Sequence, residues 1–155
     1  MDLPFDEIKE IRFSRKRVPI SPELRPMYKI SQIILVLYVS STKQTASLLK
    51  LQLFNWGLQT EKRYKRLLQL KETNHFPIIN FDPFLNRALN YGIAMGIFSF
   101  NEKNGKFSLT EKGKILAENI IKEEVFLDEK EFLKKIKKSL SDTYILKLFK
   151  ERYSS

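Results

Sequence analysis

Residues 84–121 read FLNRALNYGIAMGIFSFNEKNGKFSLTEKGKILAENII. Leu85, Ala88, Leu89, Ile93 and Met95 fall mostly at helical spacing, and Gly92 and Gly96 loosen and end that element. Residues 97–100 are a β-favouring run. Lys103-Asn104-Gly105-Lys106 follows, and Asn-Gly is the dipeptide best suited to the positive φ angles of a tight hairpin. Phe107-Ser108-Leu109 supplies the return strand. Thr110 then offers a side-chain oxygen to the free amides of a new helix, and Glu111 favours its positive end. Helix, short hairpin, helix is the pattern of a winged helix. The expected fold is therefore mainly α with a small β-wing, a class that binds nucleic acid or proteins and seldom performs chemistry.

Working outward, residues 27–40 are apolar on nearly every face, which places a helix in the middle of a core. Thr45 or Ser47 caps a second helix that runs to about Leu58. Thr60 caps a third over 61–72, with Tyr64, Leu67, Leu68 and Leu70 leaning inward. Residues 74–81 are the one mid-chain candidate strand before the wing, and they are expected to pair with it. Asp82-Pro83 is a strong helix start, a cap followed by proline at the first helical position. Asp128 caps a helix to about Ser139, and Ser141 or Asp142 caps a last one over 143–153. The expected organisation is an N-terminal arm (1–26), a winged-helix domain (27–124) and a C-terminal helical extension (125–155).

Composition narrows the function. Hydrophobic residues make up 43 % of the 155, enough for a real core. Cysteine is absent, which removes disulfides, thiolate catalysis and cysteine-based zinc sites and agrees with a reducing cytoplasm. The acidic start MDLPFDEIKE, broken by Pro4, is no signal peptide. The longest apolar run, 33–39, falls far short of the roughly 20 residues that span a bilayer. The expectation is a cytoplasmic protein without a membrane partner. A formal charge of +10 draws polyanions. Lysine outnumbers arginine, the usual bidentate base reader, so charge alone leaves DNA and an acidic protein partner equally open.

Eleven basic residues are candidates for contact with either: Arg12, Arg15, Lys16 and Arg17 in the arm; Lys62, Arg63, Lys65 and Arg66 on the third helix; Arg87 on the helix before the wing; and Lys103 and Lys106 at its tip. One arginine and two asparagines, Asn86 and Asn90, make a thin reading head for 83–95. The crowding at 62–66 fits backbone contact or docking better than base readout. No catalytic constellation, phosphate-cradling glycine loop or metal spacing is present, and no enzyme activity, cofactor or metal is expected. His75, the single histidine, reads as a turn residue. Phe132, Ile136 and Phe149 lie on the apolar faces of the last two helices, which either close the core or face a partner. The single tryptophan, Trp56, divides in the same way between core and interface anchor.

Residues 43–56, KQTASLLKLQLFNW, followed by Glu61-Lys62-Arg63, resemble the middle, small component of three-component ABC systems of the Lamassu antiphage type. The likeness rests on an S-L-x-K-L-Q-x-x-x-W helix after an apolar one, and extends over about 24–121. It implies a non-catalytic subunit beside an SMC-like coiled-coil ATPase and an effector nuclease, with double-stranded DNA within reach. The matching positions are Lys50, Gln52, Asn55 and Trp56, which serve either a partner interface or the fold.

Overall fold

The computed structural model describes residues 25–153, so Arg12, Arg15, Lys16 and Arg17 lie outside the described residues. Helix α1 (Arg25–Ser40) is the central pillar. Every residue from Ile30 to Leu37 is buried, Ser31 and Gln32 among them, as a helix apolar on all faces requires. A 3-10 turn (Thr42–Gln44) leads into the short strand β1 (Thr45–Ser47) and helix α2 (Leu48–Gly57). Ser47, rather than Thr45, caps α2, its Oγ accepting from the Lys50 amide at 3.2 Å.

Thr60 caps α3 (Glu61–Leu68) as expected, but the helix breaks at Gln69. A single turn, α4 (Leu70–Thr73), follows, and Asn74 ends it in the left-handed region at φ 50°. Asp82 caps α5 (Pro83–Ala94), its Oδ1 accepting from the Phe84 amide at 2.9 Å, with Pro83 at the first position. The hairpin β2 (Phe98–Asn101) and β3 (Lys106–Leu109) comes next, then α6 (Glu111–Lys122) under the Thr110 cap. Helices α7 (Leu127–Ile136) and α8 (Asp142–Tyr153) complete the chain.

The result is a mainly helical fold with one three-stranded antiparallel sheet of order β1-β3-β2. Its third strand is β1, pairing Thr45 with Ser108 and Ala46 with Phe107. Residues 74–81 do not pair with it. They form an extended link instead, which sinks Phe76 and Pro77 into the interior. Pro77 has no amide to give a ladder, which suits a link better than a strand. The hairpin loop spans four residues, and only Gly105 takes positive φ, at 69°; Asn104 instead accepts the Lys106 amide through Oδ1 at 3.0 Å. Asp128 does not cap α7. Phe126 occupies that position with a left-handed backbone, and Asp128 sits in the first turn, where its charge suits the helix end.

One hydrophobic cluster takes in residues from α1 to α8. Helix α1 packs on α2, α5, α6 and α7, while α8 packs on α2. Residues 125–153 thus share the core of 27–124.

Candidate functional site

The four positions of the S-L-x-K-L-Q-x-x-x-W helix separate sharply by burial. Gln52 is 1 % exposed and clamps the residue that starts α5: its Nε2 donates to the Asp82 carbonyl at 3.1 Å, and its Oε1 accepts the Asp82 amide at 2.9 Å. Asn55 is also buried and donates to Asp82 Oδ2 at 3.2 Å, while Lys29 reaches both Asn55 Oδ1 and, at 3.4 Å, Asp82. Burial would raise the Asp82 carboxyl, but the Phe84 amide, Lys29 and Asn55 outweigh it and hold it below its usual range. These side chains join α1, α2 and α5 inside the fold.

Lys50 is buried as well. Its Nζ donates to the Ser40 carbonyl at 2.6 Å, satisfying the C-terminal end of α1. Burial pushes this ammonium down to about 8; Asp142 opposes the shift, and Lys106 and Lys138 add to it. Two more lysines play the same part. Lys112 donates to Met95 O at the end of α5, and Lys130 donates to Glu123 O and Ile121 O at the end of α6. Part of the chain's positive charge therefore neutralises helix termini rather than facing a polyanion.

Phe132 and Ile136 are likewise removed from any partner by burial. Phe132 stacks 4.0 Å from Tyr64 and 6.4 Å from Phe54, centroid to centroid. Phe149 is half-buried, edge-on to Phe76 at 5.4 Å. Lys106 pairs with Asp142 at 3.4 Å, and the same carboxylate accepts the Ser47 amide and hydroxyl at 2.9 and 2.8 Å, tying the sheet to the starts of α2 and α8. Lys65 pairs with Glu61 at 3.8 Å, Arg87 lies over the Phe84 ring at 5.2 Å, and Lys103 is exposed in the hairpin loop.

The remaining basic candidates converge. Trp56, Lys62, Arg63 and Arg66 line an open groove of about 450 Å³, together with His75, Phe76, Pro77, Ile78 and Arg152. Thr60 starts α3 so that Lys62, Arg63 and Arg66 turn toward the 74–81 link, and the end of α8 closes the groove from the other side. Arg63 stacks over Trp56 at 5.2 Å and donates to Gln59 Oε1 at 2.6 Å. Arg66 donates to Thr73 Oγ1 and to the His75 carbonyl, both at 3.1 Å. Arg152 Nη1 lies 2.6 Å from His75 Nε2, a contact in which the guanidinium can only donate. None of Lys62, Arg63, Arg66 or Arg152 forms an ion pair among the described residues. No local pattern ties His75, Ile78 or Arg152 to 62–66: His75 reads in the sequence as a turn residue, Ile78 as part of a candidate strand, and Arg152 lies some 86 residues beyond Arg66.

Among the described residues, no group of three or more histidine or carboxylate side chains is placed to hold a metal ion, and no helix is long and apolar enough to cross a membrane. No family model matches the chain, and comparison with curated proteins and solved structures finds no match.

Proposed function

We propose that this protein is a non-catalytic winged-helix adaptor of the cytoplasm. It docks on an SMC-like ATPase and helps control an effector nuclease in an antiphage defence complex, with double-stranded DNA as a further partner. The winged-helix reading is supported by the element order. A helix and an edge strand precede the helices, and the hairpin's return strand lies between that edge strand and β2. The identity of the partners is carried by the likeness of residues 43–63 to the small subunit of such systems.

The observation that favours an adaptor over a DNA reader is the outward face of α5. In a base-reading winged helix this element enters the major groove and carries cations and amides. Here Phe84 and Tyr91 are 50 % and 48 % exposed and share a flank with Arg87, whose guanidinium lies on the Phe84 ring; exposed Asn86 and Asn90 lie next to that flank. The aromatic flank, with the helix's single cation resting on a ring, suits a protein surface; Asn86 and Asn90 are the side chains here that suit base edges. Co-expression with the neighbouring genes tests the proposal. A long coiled-coil ATPase recovered with the tagged chain supports it, whereas a lone monomer counts against it.

A second reading, a stand-alone winged-helix transcriptional regulator, is favoured by exposed Asn90 on α5 and exposed Lys103 at the hairpin loop. It requires a palindromic footprint from the isolated protein.

A further inference from the structure

We propose that the groove between α3, the 74–81 link and the end of α8 binds a single nucleic-acid strand, with phosphates on its guanidinium groups and an unstacked base against Trp56 and Ile78. This goes beyond the adaptor reading and does not rest on it. Three features of the groove carry the proposal.

The first is uncompensated, ordered charge. Arg63, Arg66 and Arg152 have no carboxylate partner among the described residues, yet neighbours hold each of them through neutral groups. A guanidinium has five N–H donors, and these hydrogen bonds use two on Arg66 and one each on Arg63 and Arg152, so most remain for a ligand. Planar forks held in this way match phosphate oxygens with little further loss of side-chain freedom.

The second is apolar surface set among those cations. Ile78 is 73 % exposed, and Trp56 is only partly covered. Beneath them Phe76 is packed edge-on against Phe149 and Tyr153, which gives the wall a firm backing.

The third is fit. About 450 Å³ lies within the roughly 300–1,000 Å³ typical of small-ligand pockets, and so suits a nucleotide-sized unit. A duplex keeps its bases stacked inside and can use the cations but not the apolar wall. A run of acidic residues dense enough to meet four cations brings no apolar group with it. Each nucleotide of an unpaired strand brings one phosphate and one flat base together, which is the alternation the groove displays.

The test is fluorescence anisotropy of the full chain with labelled oligothymidylate, a blunt duplex of equal charge, and polyglutamate. Oligothymidylate is expected to bind about tenfold tighter than the duplex and tighter still than polyglutamate. Ile78→Ser, at a position too exposed to threaten folding, should weaken the single strand about 3- to 10-fold and leave the duplex unchanged. Arg63→Ala with Arg66→Ala should lower the slope of log affinity against log salt by about 0.7 for each phosphate that is no longer neutralised. Lys62→Ala, at an exposed site, repeats the charge test if the double variant unsettles the 74–81 link. Equal or tighter binding of the duplex or of polyglutamate, or a single-strand affinity indifferent to Ile78→Ser, overturns the proposal.

Discussion

Replacing Gln52 with leucine separates a structural role for the S-L-x-K-L-Q helix from a partner-binding one. Leucine is close to glutamine in volume, so the variant removes polarity without opening a large cavity. It strips partners from the Asp82 amide and carbonyl, which Gln52 engages at 2.9 and 3.1 Å, and from Asn86 Oδ1 at 3.4 Å. A buried donor or acceptor left unsatisfied costs about 1–3 kcal/mol. Asp82 itself is partly exposed, so water can recover some of that loss. The net expectation is about 2–3 kcal/mol, and with a urea slope of about 1–3 kcal/mol/M the unfolding midpoint should fall by about 0.7–3 M. Urea titration followed by circular dichroism reads this directly, and Trp56 fluorescence gives a second probe of the same transition. An unchanged midpoint would refute the reasoning. Loss of a partner with an unchanged midpoint would instead assign Gln52 to an interface.

Lys50 and Glu129 give opposite pH signatures. The folded-state pKa of Lys50 is depressed to about 8, so its stabilising contribution is present above about 10.5 and is lost as pH falls through about 8. Against Lys50→Met, the parent protein should therefore gain about 1–3 kcal/mol between pH 8 and 10.5 in urea titrations; parallel profiles would contradict this. Burial raises the Glu129 carboxyl, against hydrogen bonds from Tyr28 and Gln32 and with help from Asp128. A raised folded-state pKa means stability is lost as pH climbs through it, so Glu129→Gln should flatten the profile above the ordinary glutamate range and leave the neutral-pH midpoint equal or higher. A lower midpoint at pH 7 would show that the charged form is needed. Gly113→Ala should cost about 1–3 kcal/mol by thermal melt, because a Cβ there would drive into the Ile97 carbonyl oxygen and backbone yields poorly. A melt within a degree of the parent would mean that α6 shifts freely on the sheet.

The parts of the fold legible in the sequence are those with strong local chemistry. The Asp82-Pro83 start, the Thr60 and Thr110 caps and the all-apolar α1 announce themselves within a few residues. The third strand does not, because Thr45-Ala46-Ser47 has no apolar run and is made a strand only by β3, some sixty residues away. Residues 74–81 look more strand-like and are not, since Phe76 and Pro77 serve burial rather than pairing. The α2 polar residues defeated pattern reading for a related reason. Lys50, Gln52 and Asn55 lie on a helix buried almost all round, where polar side chains act on the ends of α1 and α5 instead of solvent. Of the groove, sequence shows the basic cluster at 62–66 and Trp56 as a candidate interface anchor; His75 and Arg152 join them through the packing of the 74–81 link and α8.

The most direct measurement of the adaptor claim is the mass of the complex formed with the co-expressed coiled-coil ATPase, by size exclusion with light scattering, for the parent and for Phe84→Ser with Tyr91→Ser. Both positions are half-exposed, so the double variant should lose about 1–3 kcal/mol of folding stability, and a urea titration of each protein alone separates that loss from loss of the partner. The adaptor account predicts a stable heteromer for the parent and its dissociation in the double variant. A heteromer that survives both substitutions, or a parent chain that stays monomeric beside the ATPase, would contradict it.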